Sequence, residues 1–370
     1  MTDQKKVSYT VVKDEKDADA AAWVFLSKKS FKKEFIQLPT LKSDEIRGRV
    51  LYSSICYSDC MIGKGKWSNL EYPICPGHEV IAEVTMKGVA VNDIGIGDIV
   101  GIGPFERSCG KCKFCQKDWN HVCENMPIED RISFFHRFGG FATHVNHPAK
   151  FCIKIPKDIA LNKASPFLCS GVSVFTPISL YVKPDDKVAI LGCGGMGHLA
   201  VQFCKKMANE VTVITHNQEK IADIKKLGAD KVLLFDDFNK NAFDLEYDVI
   251  IHTLPMWPKR DVVKKWIDSL NYYGRLIVLG FAPKDTQMDI DCSWLTLKSN
   301  LVISSLCGGK KQFEDMFNFM AKNKIEAWCK YYDFEEFDKA VNELEKGDPH
   351  FKIVVNTENA ALNLEKLANK

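Results

Sequence analysis

The stretch Val188-Ala-Ile-Leu-Gly-Cys-Gly-Gly-Met-Gly197 decides how this chain is read. Val188–Leu191 is a short apolar run of the kind that forms a buried strand. Directly after it, Gly192-Cys193-Gly194-Gly195-Met196-Gly197 fits G-x-G-x-x-G. A helical stretch follows from His198 to Met207, with apolar side chains at Leu199, Val201, Phe203, Cys204 and Met207. Glycines cluster in many turns, so the bare pattern competes with a structural turn in an unrelated α/β protein. The strand–loop–helix setting turns it into a dinucleotide-binding signature. The first glycine permits a tight turn, the second admits a pyrophosphate to the backbone, and the third lets helix pack on strand. Free amides and the helix dipole then hold the phosphate charge. Gly192, Gly194, Gly195, Met196 and Gly197 are thus the candidate phosphate-binding residues.

Outward from this loop the pattern repeats. Val211–Ile214, Lys231–Leu234, Val249–His252, Arg275–Leu279 and Leu301–Ser304 are further strand candidates, separated by segments long enough for crossover helices. Six such runs predict an α/β doubly wound parallel sheet of the Rossmann type. Upstream the chain changes character. Gly48–Tyr52, Glu79–Val84 and Asp98–Ile102 are short β-type runs between turns, the signature of a mostly β unit. Beyond Gly309 a helical pattern continues briefly and ends in the strand-like run Phe351–Val355, read as returning to the first unit. The expected domains are 1–165 together with 309–370, and a dinucleotide-binding domain over 166–308.

The cofactor is read at the end of the second strand, where an NAD site places Asp or Glu on the ribose 2′-hydroxyl. Here the chain runs Val211-Thr-Val-Ile-Thr215, then His216-Asn217-Gln218-Glu219-Lys220. No carboxylate stands at the tip. Thr215, His216 and Asn217 are small or neutral donors, and Lys220 could meet a 2′-phosphate, which favours NADP. Glu219 turned inward would favour NAD instead.

Composition narrows the class. A chain of 370 residues suggests about two domains. Fifty basic residues against 48 acidic give a formal charge of +2, no electrostatic reason to expect nucleic acid or an anionic membrane as partner. The start, Met1-Thr-Asp-Gln-Lys-Lys6, is polar, and no apolar run approaches the roughly 20 residues of a membrane span. Both point to a cytoplasmic protein.

Fourteen cysteines are many for such a protein. Cys109, Cys112, Cys115 and Cys123 form C-x2-C-x2-C-x7-C, and four thiolates at short spacing close a tetrahedral shell, the pattern of a structural zinc. An iron–sulfur cluster uses the same number of thiols. Cys56, Gly77-His78-Glu79 and Cys169 are each unremarkable alone.

Several stretches together resemble the zinc-containing medium-chain alcohol dehydrogenases, and among them the cinnamyl alcohol dehydrogenase branch. They are Cys56-Tyr-Ser-Asp59, Pro76-Gly-His-Glu-Val80, Gly97-Asp-Ile-Val-Gly101 and the four-cysteine lobe. Gly139-Gly-Phe-Ala142, Pro166-Phe-Leu-Cys-Ser-Gly-Val172, the glycine loop and Leu227-Gly-Ala-Asp230 complete the set, in the family's order over nearly the whole chain. The resemblance implies a GroES-like catalytic domain beside the Rossmann domain. It implies two zinc ions per chain, one structural and one catalytic, the latter held by Cys56, His78 and Cys169. Glu79 would be a nearby carboxylate able to approach the metal. Asp59 would orient His78, and Ser58 would contact the substrate oxygen and pass its proton. The substrate would be an alcohol or aldehyde, and the assembly a homodimer joined through Leu301–Ser304.

The resemblance also frays. Tyr57 and Met61 stand where relatives carry a basic residue and a proton-relay histidine. Lys352 matches a basic residue that contacts the cofactor pyrophosphate in relatives. Ile128 replaces a large aromatic, so a bulky phenylpropenyl aldehyde is not assured, though Trp67 and Phe105 could line an apolar pocket. Cys193 reads as a buried, inert thiol more readily than as an oxidant sensor. Competing readings are an NAD-dependent alcohol or polyol dehydrogenase, a zinc-free quinone reductase, and a non-enzymatic nucleotide-binding protein on this fold.

Overall fold

The apolar runs after Asp186 form a six-stranded, wholly parallel sheet in the computed structural model, which describes residues 9–28, 30–66, 72–132, 138–280, 286–347 and 349–368. Numbered along the whole chain, its strands are β9 (Lys187–Leu191), β10 (Glu210–Thr215), β11 (Lys231–Leu234), β12 (Tyr247–His252), β13 (Leu270–Val278) and β14 (Leu301–Ser304). Their order is β11-β10-β9-β12-β13-β14, so the direction of winding reverses between β9 and β12. In such sheets ligands bind at the carboxyl ends of the strands at that reversal, where the glycine loop begins. β9 and β12 are almost entirely buried, which explains their nearly unbroken apolar sequence. The helix Arg260–Asp268 buries Val263, Trp266 and Ile267, spaced three and four apart, in one cluster with Ala189, Ile250 and Leu276 of the sheet. β13 begins at Leu270, ahead of the expected Arg275. Asn271, the exposed Tyr272 and Tyr273, and Gly274 break the apolar pattern there and hide its first half from a sequence reading.

The chain divides into two units. One holds Ser170–Cys307 with Lys322–Ala327, and the other holds the chain up to Cys169, Gly308–Ala321 and everything from Trp328 onward. The second of these is built on a seven-stranded sheet. It contains β4 (Glu45–Ile55), β5 (Val80–Lys87), β6 (Ile99–Ile102), β7 (His144–Pro148) and β8 (Cys152–Lys154), with β15 (Cys329–Asp333) and β16 (Lys352–Asn356) from later in the chain. A smaller sheet of β1 (Thr10–Val11), β2 (Ala20–Ser27) and β3 (Ser30–Gln37) brings Trp23 against Phe337, with ring centroids 5.3 Å apart. The helix Lys310–Asn323 is the helical pattern expected beyond Gly309. The short strand β15, with its mostly exposed residues, and the helix Phe337–Glu345 are additions that the sequence pattern does not announce.

One strand organises this unit. β4 runs for 11 residues and shifts register against β5 at Arg47/Gly48 and at Val50/Tyr52. Such bulges bend a strand. Its first half, Glu45–Arg49, pairs with β7, while its last residues, Tyr52–Ile55, pair with β16. The carboxyl end of β4 therefore meets the start of β5 and the start of β16 at one place, which is where the dispersed candidates gather.

Candidate active site

Cys56 follows β4 directly and precedes the short helix Tyr57–Gly63. Asp59, in the first turn of that helix, reaches back: its Oδ2 accepts from the Cys56 backbone N–H at 3.0 Å. Its Oδ1 accepts from the Gly77 backbone N–H at 3.0 Å and pairs with His78 Nδ1 at 2.8 Å. Asp59 and His78 are each 1 % exposed, so these bonds are shielded from water. They lock the loop carrying His78 and Glu79 onto the helix carrying Ser58. Backbone bonds from Gly139, Gly140 and Phe141 to Cys75, Gly77 and Pro76 fix the same loop from its other side.

Cys169 enters from the turn Ser165–Leu168. One ligand atom each from Cys56, His78, Glu79 and Cys169 lies within 4.8 Å of the others. Residues far apart in sequence thus converge on a space the size of one metal ion. With Nδ1 paired to Asp59, Nε2 is the His78 nitrogen that would ligate a metal. Ser58 Oγ lies 3.3 Å from that nitrogen. Met61 is buried, and the exposed Tyr57 presents no charge.

The electrostatics at Cys56 favour ligation. The Cys56 thiol is held well below its usual range by a hydrogen bond with Cys169, against the effect of burial and with help from Lys352 and His78. A lowered thiol supplies the thiolate that metals bind. Family resemblance would put Lys352 at the cofactor pyrophosphate. Its Nζ stands 2.6 Å from Glu79 Oε2, with the side chain only 4 % exposed. Burial disfavours that ammonium, but Glu79 and Cys56 hold its pKa above the ordinary lysine value. Register brings it beside Glu79: Lys352 is the first residue of β16, next to Ile353, which pairs with Ile55 at the end of β4.

Cys109, Cys112, Cys115 and Cys123 form a second group, again with all sulfurs within 4.8 Å. Backbone N–H groups of Lys111 and Cys112 donate to Cys109 Sγ, each at 3.4 Å, and lower that thiol to about 6. Cys115 N–H donates to Cys112 Sγ and Cys109 N–H to Cys123 Sγ. Amide donors around four clustered sulfurs suit a closed metal–thiolate shell better than free thiols. No disulfide forms among the described residues.

In the other unit the glycine loop has the shape of a phosphate cradle. Gly192 takes φ +89°, and a Cβ there would meet Leu254 at 2.6 Å. Gly194 faces open space, with nothing within 4 Å of an added Cβ, so its backbone is accessible to a ligand. Gly197 packs against Gly192, leaving 2.1 Å between an added Cβ and the Gly192 carbonyl oxygen. Gly195 and Met196 lie between Gly194 and Gly197, and the helix Gly197–Met207 follows. Cys193 is 7 % exposed, and burial pushes its thiol up to about 12, which leaves it unreactive.

At the end of β10, Thr215 Oγ1 accepts from Asn217 N–H, and Asn217 Oδ1 accepts from Glu219 N–H. Glu219 itself is exposed, while Lys220 is half-buried. The exposed His216 lies flat on Phe235, ring centroids 4.0 Å apart and planes 7° from parallel. Phe105 lines a cavity of about 30 Å³ with Phe151, Ile153, Phe313 and His121. None of Cys56, His78, Glu79 and Cys169 lines it, and Trp67 lies outside the described residues.

Two family models match the chain: "Alcohol dehydrogenase GroES-like domain" over residues 42–157 and "Zinc-binding dehydrogenase" over residues 195–322. A sequence from Arabidopsis thaliana named probable cinnamyl alcohol dehydrogenase 6 is 32 % identical, covering 85 % of this chain and 88 % of its own length. An aldehyde reductase from Synechocystis is 30 % identical over 85 % of this chain and 92 % of its own. Among solved structures, a cinnamyl alcohol dehydrogenase from Sorghum bicolor superposes with a TM-score of 0.84 at 25 % identity, covering 92 % of this chain and 98 % of its own. A CAD from Helicobacter pylori, complexed with NADP(H), gives 0.83 at 26 % identity with the same coverage.

Proposed function

The chain belongs to the zinc-containing medium-chain alcohol dehydrogenase family, and from that premise we propose that it interconverts an aldehyde and its primary alcohol with NADP(H). The convergence of Cys56, His78 and Cys169, with Glu79 beside them, carries the reading. Two thiolates and an imidazole with one position to spare are the donor set of a catalytic zinc. Bound there, zinc supplies a Lewis acid for the substrate oxygen, and the nicotinamide supplies the partner in hydride exchange. The chain's own work is positional. Asp59 fixes the tautomer and ring direction of His78, and Ser58 holds and passes the proton of the substrate hydroxyl. Met61, further along the same helix, has a thioether that carries no proton, so beyond Ser58 the proton leaves through the cofactor ribose and water or through another group. The four-cysteine lobe holds a second, structural zinc.

NADP is favoured over NAD because Thr215, His216 and Asn217 offer no acid for a ribose 2′-hydroxyl, while Lys220 can meet a 2′-phosphate. The Helicobacter pylori relative's complex with NADP(H) agrees with this choice. A medium-sized apolar or aromatic aldehyde suits the replacement of a large aromatic by Ile128. Both metal groups need reduced thiols, which fits a cytoplasmic setting. Among the described strands, β14 is one edge of the parallel sheet, where Leu301 and Val302 are exposed. Tyr272, Tyr273 and Leu297 of the same unit are exposed as well. An apolar edge strand of this kind is a surface for a second copy, and a homodimer is part of the proposal.

The test is a comparison of initial rates of benzaldehyde reduction with NADPH and with NADH at equal concentration. A strong preference for NADPH is expected. A clear preference for NADH would move the chain to NAD-dependent alcohol oxidation.

A further inference from the structure

Resting on the catalytic zinc proposed for Cys56, His78 and Cys169, we infer that Ser54 is a positioning residue for Glu79. It tethers that carboxylate, one oxygen of which lies within 4.8 Å of the Cys56, His78 and Cys169 ligand atoms, so that the open ligand position stays available to substrate. Ser54 Oγ donates to Glu79 Oε2, and Lys352 Nζ donates to the same oxygen at 2.6 Å. The Ser54 backbone N–H also donates to the Glu79 carbonyl at 3.0 Å, so the two residues are joined through both main chain and side chain. Ser54 and Glu79 are fully buried.

Two donors on one carboxylate oxygen fix its orientation as well as its charge. A lysine alone does this poorly, because its ammonium rides on a flexible four-carbon stem. The serine is the rigid half of the clamp: it sits on β4, opposite Val354 of β16 and one residue beyond the Ser53–Val80 pair with β5. Its neighbour Ser53 makes the contrast. Ser53 is also buried, yet its hydroxyl has no hydrogen-bond partner among the described residues. Burial in this strand therefore does not by itself force a serine onto Glu79. Loss of the Ser54 hydroxyl removes no charge and leaves the ion pair with Lys352 in place, but frees the carboxylate to rotate toward the cluster.

The test uses cobalt exchanged into the Cys56–His78–Cys169 group, with zinc left in the four-cysteine lobe, and reads the visible absorption of the metal. In S54A the bands should lose intensity as Glu79 joins and the site moves from four ligands to five. S54T should restore the wild-type spectrum, S53A should match wild type, and E79Q should give one spectrum with or without the Ser54 change. An S54A spectrum identical to wild type, with cobalt bound in the cluster, would overturn this role of Ser54 and leave the metal reading standing. Loss of cobalt from S54A would overturn it too, because the hydroxyl would then be holding the ligands themselves. Absence of any cobalt signal that depends on Cys56 in the wild-type protein would overturn the metal reading, and the inference with it.

Discussion

Replacing Asp59 by Asn exchanges one carboxylate oxygen for an amide nitrogen and should weaken the whole cluster. The carboxylate meets three donors, the Cys56 and Gly77 backbone N–H groups and His78 Nδ1, at 3.0, 3.0 and 2.8 Å. Asparagine has one acceptor oxygen. If that oxygen keeps Gly77 and His78, the amide nitrogen faces the Cys56 N–H, donor against donor. One donor is then left unsatisfied, at about 1–3 kcal/mol, and the bond to His78 loses its charge. An imidazole no longer held by an anion is a less basic and less well aimed ligand, and changes of this kind cost about 10- to 100-fold in metal affinity. That corresponds to about 1.4–2.8 kcal/mol of binding free energy. Competition with a chromophoric chelator should show a zinc Kd raised by that factor in D59N, at the cluster site only. Thermal unfolding of the metal-free protein should show the stability loss separately. A D59N protein with wild-type zinc affinity would refute the reasoning, because it would mean that Asp59 does not orient a ligand.

Other outcomes follow from the same geometry. Lys220→Ala should lower kcat/KM for NADPH by about 10- to 100-fold, the loss of one charge-assisted bond worth about 1.5–3 kcal/mol, and leave NADH nearly unaffected; steady-state kinetics with both cofactors would decide. His252 is fully buried beside Trp257 and Trp266, and burial lowers its pKa to about 4 from the ordinary 6.5. The unfolded chain thus binds the proton more readily than the folded one, so stability is lost as pH falls from about 6.5 toward 4, by up to about 1.4 kcal/mol per unit. Thermal melts at pH 5 and pH 8 should differ less for His252→Leu than for the wild type; equal differences would refute it. His121, lowered by burial and Arg131 to about 4, makes the same kind of contribution in the other unit and should persist in that variant.

What can be read in the sequence is what depends on spacing. The strand ahead of Gly192 and the five that alternate with helices after it form β9 to β14, most legibly at the centre, where β9, β10 and β12 are buried and apolar. Four cysteines between positions 109 and 123 announce their own group. Cys56, His78 and Cys169 do not: nothing in their spacing joins them, and only resemblance to a family does so. The partners of Glu79 lie beyond either route. Ser54 is 25 positions away and Lys352 is 273, and only the meeting of β4, β5 and β16 brings them together. The sequence offers Lys352 only as a phosphate contact, because its ion-pair partner is too distant along the chain to be read. His216 on Phe235 is the same case, a contact between strand ends that no periodicity encodes.

Every functional step assigned to this chain depends on a metal at Cys56, His78 and Cys169, and counting zinc per chain in the wild type and in Cys169→Ala tests it most directly. Two zinc ions in the active wild type, and one in an inactive but folded variant, are the predicted results, since the structure holds two separate ligand groups. A Cys169→Ala protein that keeps both its second zinc and its aldehyde reduction would contradict them.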